Sequence, residues 1–451
     1  MLWKKSLSVI FALALCVVSR TGATGAQNAA SATKRLIAHA FNSGFPLAHD
    51  TFNGVLAASD GKIYYVLCAD SIDTGAQMYS YDPATGKIQH LGDLTEASGE
   101  KGLKAIPQGK SHVNFVESNG KLYFATHCGH YTVKNGKETM ALPEPGYKPY
   151  PGGHFLAYDM ASGKFERLAD APPQQGIVTM NMDTKRGRLY GLTWPSGYFL
   201  RYDLETRSLR NLGPTSREGE AGEGPNFRVL CRSFAVDPED GSVYFTTSDG
   251  DIMRYRYDQD AIEKVLGDDL RKDYFGCFDP SKPGTMAYNW RQSVWDPAEK
   301  AIYAVHGNSG YLFRFDPRAE RVDVVERITS EPSKRSGMFD QFTYGYLGFT
   351  LGPDGHTLYY LTGGAIFENG RRVSGNKNIT VGVRGREDLH LITYDIPAAK
   401  YRDHGPIFFP DGRRPSYVNS IAVTKDGTVY SLSRIRENGH LRTDLIRIDA
   451  E

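Results

Sequence analysis

The sequence predicts an all-β fold, a seven-bladed β-propeller of four-stranded antiparallel blades, and three observations carry that prediction. A short Gly-or-Lys, apolar, tyrosine signature recurs seven times, ending at Tyr64, Tyr123, Tyr190, Tyr244, Tyr303, Tyr359 and Tyr430. After most copies an aromatic residue is followed by aspartate: Tyr81-Asp82, Tyr158-Asp159, Tyr202-Asp203, Tyr257-Asp258, Phe315-Asp316 and Tyr394-Asp395. No segment of useful length has the 3.6-residue period of an amphipathic helix.

Each copy reads as four short strands joined by Gly, Asp, Asn and Pro turns. The tyrosine marks the second strand and the aromatic-Asp pair the third. A fourth strand follows, as in 164–168 and 208–212. One such sheet cannot bury both of its faces, so the copies must pack on one another, and radial closure leaves few free edges. The repeat tyrosines, Tyr190 among them, belong to the core. The seventh copy (417–424, 428–434, 444–449) stops one strand short. Residues 34–42 have strand character and precede the first copy, so they are expected to supply the missing outer strand and close the ring.

Residues 1–26 read as a secretory signal peptide: Lys4 and Lys5, an apolar run, then the small residues 21–26. The run is short for a bilayer span, so the expectation is one propeller domain over 27–451, secreted or periplasmic, monomeric, with no membrane contact after cleavage. Of 53 basic residues, three (Lys4, Lys5 and Arg20) lie in the signal, against 52 acidic residues, none of which does. The mature chain is therefore close to neutral, which argues against a nucleic-acid partner. Cys68, Cys128, Cys231 and Cys277 are too few and too scattered for a disulfide scaffold.

Aligning the copies places the first residues of the inner strands near Asn53, His112, Thr179, Arg232, Arg291, Tyr346 and Asn419, at one face of the channel. The ends of the second strands, including His127, Trp194, Ser248 and His306, lie at the same face. The second blade is the richest, with His112, His127, His130 and His154 at one edge. Arg228, Arg232 and Arg291 come from the fourth and fifth blades. A guanidinium suits a carboxylate or sulfate, although pairing with acids between blades is the alternative. Trp194, Tyr198, Tyr288, Trp290 and Tyr344 lie near this face and are candidates to stack on sugar rings.

Histidine, tyrosine and arginine together suit elimination from a uronic acid. A cation neutralises the carboxylate and acidifies the neighbouring C–H, a base takes that proton, and an acid protonates the leaving oxygen. Glycoside hydrolysis would need a carboxylate pair, and no convincing one is present.

The stretches Lys110-Ser-His112, Phe124-Ala-Thr-His127, Tyr150-Pro-Gly-Gly-His154-Phe-Leu-Ala-Tyr-Asp159 and 184–195 resemble the seven-bladed propeller polysaccharide lyases that act on ulvan. The likeness is strongest over 105–215. It implies a secreted lyase acting on an acidic, sulfated, uronic-acid-containing polysaccharide, with histidines, a tyrosine and an arginine at work and a structural zinc. His112 and either His127 or His130 match the family's histidine-bearing blade; with Tyr198 and Arg232, taken from the channel face, they are the catalytic candidates. His154, Trp194, Arg228, Tyr288, Trp290, Arg291 and Tyr344 are the substrate-binding ones. The chain departs from the family in having Thr179 where an inner-strand tyrosine is expected, and Tyr198 rather than arginine after Trp194-Pro195. Cys231, Cys277 and His306, on neighbouring blades, are the candidates for the zinc. The rival class is a non-catalytic propeller that binds glycan or protein through the same face. A calcium-dependent propeller lactonase is disfavoured because no carboxylate cluster is evident.

Overall fold

The tyrosine signature falls on the second strand of its sheet in every copy because an aromatic there is covered on both sides of the layer. Tyr64, Tyr190, Tyr244 and Tyr430 are at most 2 % exposed, and only Tyr359 is half-buried. The computed structural model describes residues 36–49, 52–134, 137–336, 348–365, 367–368, 371–372, 387–416, 418–437 and 440–450. The signal segment, Tyr344 and Tyr346 lie outside the described residues.

The fold is all-β and propeller-like. Five four-stranded antiparallel sheets follow in chain order. The first is Val55–Ala57, Ile63–Leu67, Gln77–Asp82 and Lys87–Asp93; the second is Val116–Ser118, Lys121–Ala125, His154–Asp159 and Lys164–Asp170. The third is Gly176–Asp183, Arg188–Trp194, Tyr198–Asp203 and Ser208–Pro214; the fourth is Ala235–Val236, Val243–Thr246, Ile252–Arg256 and Ala261–Lys264. The fifth is Trp290–Asp296, Ala301–His306, Tyr311–Asp316 and Arg321–Arg327. An eight-stranded sheet holds the rest. Phe349–Leu351, Thr357–Ala365, Glu387–Asp395 and Lys400–Phe408 form one four-strand set; Ala422–Val423, Val429–Glu437 and His440–Ala450 form a set of three. Leu36–Ala40 lies between the sets. It pairs antiparallel with the last strand from Leu36↔Ala450 to Ala40↔Ile446, and touches the other set only through Leu36↔Ile407 and Ile37↔Phe408. The N-terminal segment is thus the fourth strand of the last repeat.

The recurrent aspartate closes the turn between third and fourth strands. Asp82 accepts from the Ala84 N–H, Asp159 from Ser162, Asp203 from Thr206, Asp316 from Arg318 and Ala319, and Asp395 from Ala398. A short acceptor side chain here satisfies turn donors that have no ladder partner. In the fourth sheet the strand ends at Arg256, so the Tyr257-Asp258 pair sits in the turn instead, and the buried Tyr255 takes the core place.

Packing is sheet against sheet. One apolar cluster joins the first three sheets through Tyr64, Phe124, Phe155, Met180 and Leu200. A second joins the third to the fifth through Tyr190, Phe245, Trp290 and Phe313. Tyr303 and Leu312 pack with Tyr360 and Ile392. Leu432 and Leu445, from the last repeat, pack with Val55, Ile63 and Tyr65 of the first sheet.

Candidate functional site

Two β-bulges shape the inner edge. The register of the third sheet skips Val178 between Ile177 and Thr179, and that of the fifth skips Arg291 between Trp290 and Gln292. A bulge releases one residue from the ladder and re-aims it. The Val178 carbonyl, released in this way, accepts the His112 Nδ1–H at 2.9 Å. Neighbouring inner segments make the same kind of link: the Asn53 amide donates to the His112 carbonyl at 3.3 Å, and the Thr179 hydroxyl to the Cys231 carbonyl at 2.7 Å.

His112 and His127 come together. Lys110 and His127 exchange backbone hydrogen bonds of 2.9 and 2.8 Å, which brings the second strand's end beside His112. The two imidazole centroids are 5.9 Å apart, and His127 also packs on Trp194 at 5.4 Å. Gly176 makes room for that ring, since a Cβ there would lie 2.9 Å from it. The His127 Nδ1–H donates to the Cys128 carbonyl at 2.9 Å. A carbonyl can only accept, so both rings carry their proton on Nδ1 and a lone pair on Nε2.

Cations surround this pair. Burial depresses the His112 pKa well below the ordinary value, and Arg232, Arg291 and Lys110 depress it further. Burial, then Lys110 and Arg232, bring His127 down to about 3. The buried Lys110 ammonium lies over the faces of Phe52 and Tyr131, at 4.5 and 4.1 Å from their centroids. Arg232 donates to the Glu220 carboxylate at 2.5 Å and to the Leu230 carbonyl at 2.9 Å. The geometry offers two uncharged bases, His112 in the field of three cations and His127 in that of two.

The other candidates divide by the face they occupy. His130 turns outward to Asp70 at 2.9 Å. His154 is buried between two carboxylates, Glu100 at 2.7 Å and Asp170 at 2.9 Å, so both ring nitrogens are already bonded. Burial alone would lower its pKa, but the two carboxylates outweigh it and the pKa is raised. Arg228 is buried and paired with Asp249 at 2.7 Å. Trp290 is fully buried and donates to the Ser233 carbonyl, so it has no free face on which a sugar could stack. Tyr288 accepts from the Phe278 N–H and packs edge-on against Phe278. Trp194 is 2 % exposed, so its ring supports His127 and is itself covered. Tyr198 packs on the apolar cluster of the first three sheets, whereas Trp194 packs in the cluster of the third to fifth. Strand alternation thus turns the two aromatics to opposite faces.

Three contributors were not expected from the sequence: Lys110, Tyr131 and Glu220. Lys110 stands two residues before His112, the only sequence signal for it. Tyr131 donates to the Cys128 carbonyl at 2.6 Å from the hairpin Tyr131–Lys134/Lys137–Met140. Glu220 is on a loop between sheets.

The zinc candidates do not fit a ligand set as they stand. The Cys231 thiol donates to the Ser233 carbonyl, Cys277 is exposed, and His306 is buried and stacked on Phe275 at 4.4 Å. Among the described residues, no three His, Cys, Asp or Glu side chains gather as metal ligands.

A cavity of about 340 Å³ runs between inner strands of the second to fifth sheets, past Asn114, Thr179, Asn181, Ser293 and Trp295. It reaches Arg232 but neither imidazole.

The buried imidazoles make a pH prediction. Unfolded histidine protonates near 6.5, whereas His127 and His306 resist protonation down to about 3 and His112 is depressed with them. The unfolded chain therefore binds more protons below about 6.5, and stability falls as pH drops through that window. His154 has the opposite sign, one group against these three and the partly buried His404, which is also lowered. Melting temperature should decline from pH 7 to about 5, before most carboxylates titrate. A flat profile over that range would contradict the neutral assignment.

No family model matches this chain, and no curated protein matches it in sequence. Among solved structures, it is similar to a chain in the crystal structure of the mitotic checkpoint complex, at 11% identity and TM-score 0.48, covering 96% of this chain and 98% of that one. It is also similar to a "putative 6-phosphogluconolactonase" from Bacteroides uniformis, at 11% identity and TM-score 0.43, covering 77% of this chain and 82% of that one.

Proposed function

We propose that this chain is a secreted seven-bladed β-propeller, its ring closed by the N-terminal strand, that cleaves a uronic-acid-containing, ulvan-like polysaccharide by β-elimination. The observation that carries the reading is the pair of neutral imidazoles, His112 and His127, set among Lys110, Arg232 and Arg291. The packing of the last repeat on the first sheet supports seven blades in a closed ring.

A uronate is an anion whose C5 proton becomes removable only when its carboxylate charge is neutralised. In the proposed reaction the cations receive the carboxylate. An Nε2 lone pair takes the C5 proton, the freed electron pair forms the C4=C5 double bond, and the C4–O bond breaks. The leaving oxygen takes a proton from the imidazole just protonated or its neighbour; Tyr198, which packs on the opposite face from Trp194, takes no part. Arg232 belongs to the transition state more than to the ground state, because negative charge grows on the carboxylate as the proton leaves.

One assay tests the activity: ultraviolet absorbance of the unsaturated uronide, followed across a panel of acidic polysaccharides. Arg232→Ala should raise KM and lower kcat together. No absorbance rise on any member would end the lyase reading. A second reading, a propeller that binds glycan without cleaving it, draws on the burial of the site: His112 is 7% and His127 2% exposed, and the His112 bond repeats the structural links of Asn53 and Thr179. Glycan binding without new absorbance would select it.

A further inference from the structure

Glu220 has no counterpart in the elimination scheme, yet one carboxylate there holds together three parts of the site. Its Oε1 accepts from Arg232 at 2.5 Å and from the Leu230 backbone N–H at 3.0 Å; its Oε2 accepts from the Trp194 indole N–H at 2.9 Å. Arg232 is a cation whose field lowers both imidazoles, and Trp194 is the ring on which His127 packs.

The loop that carries Glu220 is itself pinned. The Glu220 and Ala221 N–H groups both donate to the Pro195 carbonyl, at 2.8 and 3.1 Å. Gly219 allows that approach: it has φ +61°, and a Cβ there would lie 2.5 Å from the same carbonyl. Lys137, from the hairpin, donates to the Ala221 and Gly222 carbonyls. So firmly held a carboxylate, with three donors converging on it, is built to hold a fixed place.

We propose that Glu220 is a positioning residue: its carboxylate fills a three-donor socket that aims Arg232 at the imidazole pair and seats Trp194 against His127. Glutamine cannot replace it. With its oxygen on Arg232 and Leu230, its amide would present N–H to the indole N–H, donor against donor. With the amide turned round, the bond to Arg232 is lost instead.

This deepens the elimination reading, and the test has an arm that does not depend on it. Glu220→Ala leaves an empty socket that formate can enter. Formate should raise the melting temperature of E220A and leave wild type and E220Q unchanged. In the elimination assay, E220A and E220Q should each lose about 100-fold in kcat, the scale of a misplaced catalytic group, and formate should restore E220A alone. KM should fall in both variants, because removing a negative charge beside Arg232 strengthens its hold on the substrate carboxylate. A purely structural role would lower the amount of active protein and leave KM as it was. Failure of formate to move E220A melting overturns the socket, and wild-type kcat in E220Q overturns the positioning role. If wild type cleaves no uronate polymer, the lyase reading falls and the formate arm alone judges the socket.

Discussion

A chain lacking residues 34–42 is expected to melt far below the intact protein or to aggregate on expression. Leu36, Ile37 and Ala38 are all buried, and the strand they form pairs with the last strand over five residues. Burying a leucine or isoleucine side chain contributes roughly 1.5–3 kcal/mol, and each ladder hydrogen bond about 0.5–1.5 kcal/mol more. Their sum rivals the roughly 5–15 kcal/mol of a typical domain. The deletion also uncovers His440–Ala450 as a long free edge, a template for pairing with other chains. Ala38→Asp should show the effect in a single substitution, since Ala38 has no exposed surface. Thermal unfolding and size-exclusion chromatography of both proteins are the measurements; melting curves that overlay wild type would refute the closing role of this strand.

His112→Ala should reduce elimination by about 100- to 10,000-fold, the usual contribution of a general base. Alanine alone leaves a question, because it also removes the Nδ1–H bond to Val178. His112→Asn separates the two roles. Its amide can stand where Nδ1 stands and donate to the Val178 carbonyl, much as the Asn53 amide donates to the His112 carbonyl in the preceding repeat. It offers no lone pair at the Nε2 position. The asparagine variant should melt close to wild type and be as inactive as the alanine variant. Wild-type turnover in His112→Asn would remove this imidazole from the chemistry and leave it as a strut.

The repeat made the fold legible. A tyrosine every 54 to 71 residues and an aspartate at the next hairpin are local requirements, one for a covered layer and one for a turn with orphan donors. Both can be read without knowing what lies across the molecule. The outer strand 36–40 was legible from the opposite signal, a repeat one strand short. At the site, register placed His112, His127 and Arg232 at one edge, but it says how far along a strand a residue stands and not which way it faces. Trp290 and Arg291 are adjacent and the alignment sets both near the channel; in the structure the indole is buried in the core against Phe313. His154 stands at the right height and is already claimed by Glu100, which reaches it from a loop 54 residues earlier. Glu220 was invisible for a related reason. Its importance comes from a loop crossing over Pro195, and nothing in its local sequence announces that contact.

The pairing of the two ends imposes an order in time. Ser43, just after the first strand, bonds to Asp444, 401 residues further on. At a synthesis rate of about 5–20 residues per second, the first strand waits roughly 20–80 s for its partner to be made. Throughout that interval the flank of the first sheet that will receive Leu432 and Leu445 stays wet. Every sheet in between can fold hairpin by hairpin as it emerges, yet the last joint waits until the strand His440–Ala450 has been made. Slowing synthesis therefore should not help this protein as it helps chains that fold strictly in sequence. It lengthens the exposure of the nascent chain, whereas a chaperone that shields the first strand and the flank of the first sheet would shorten the part of it that matters.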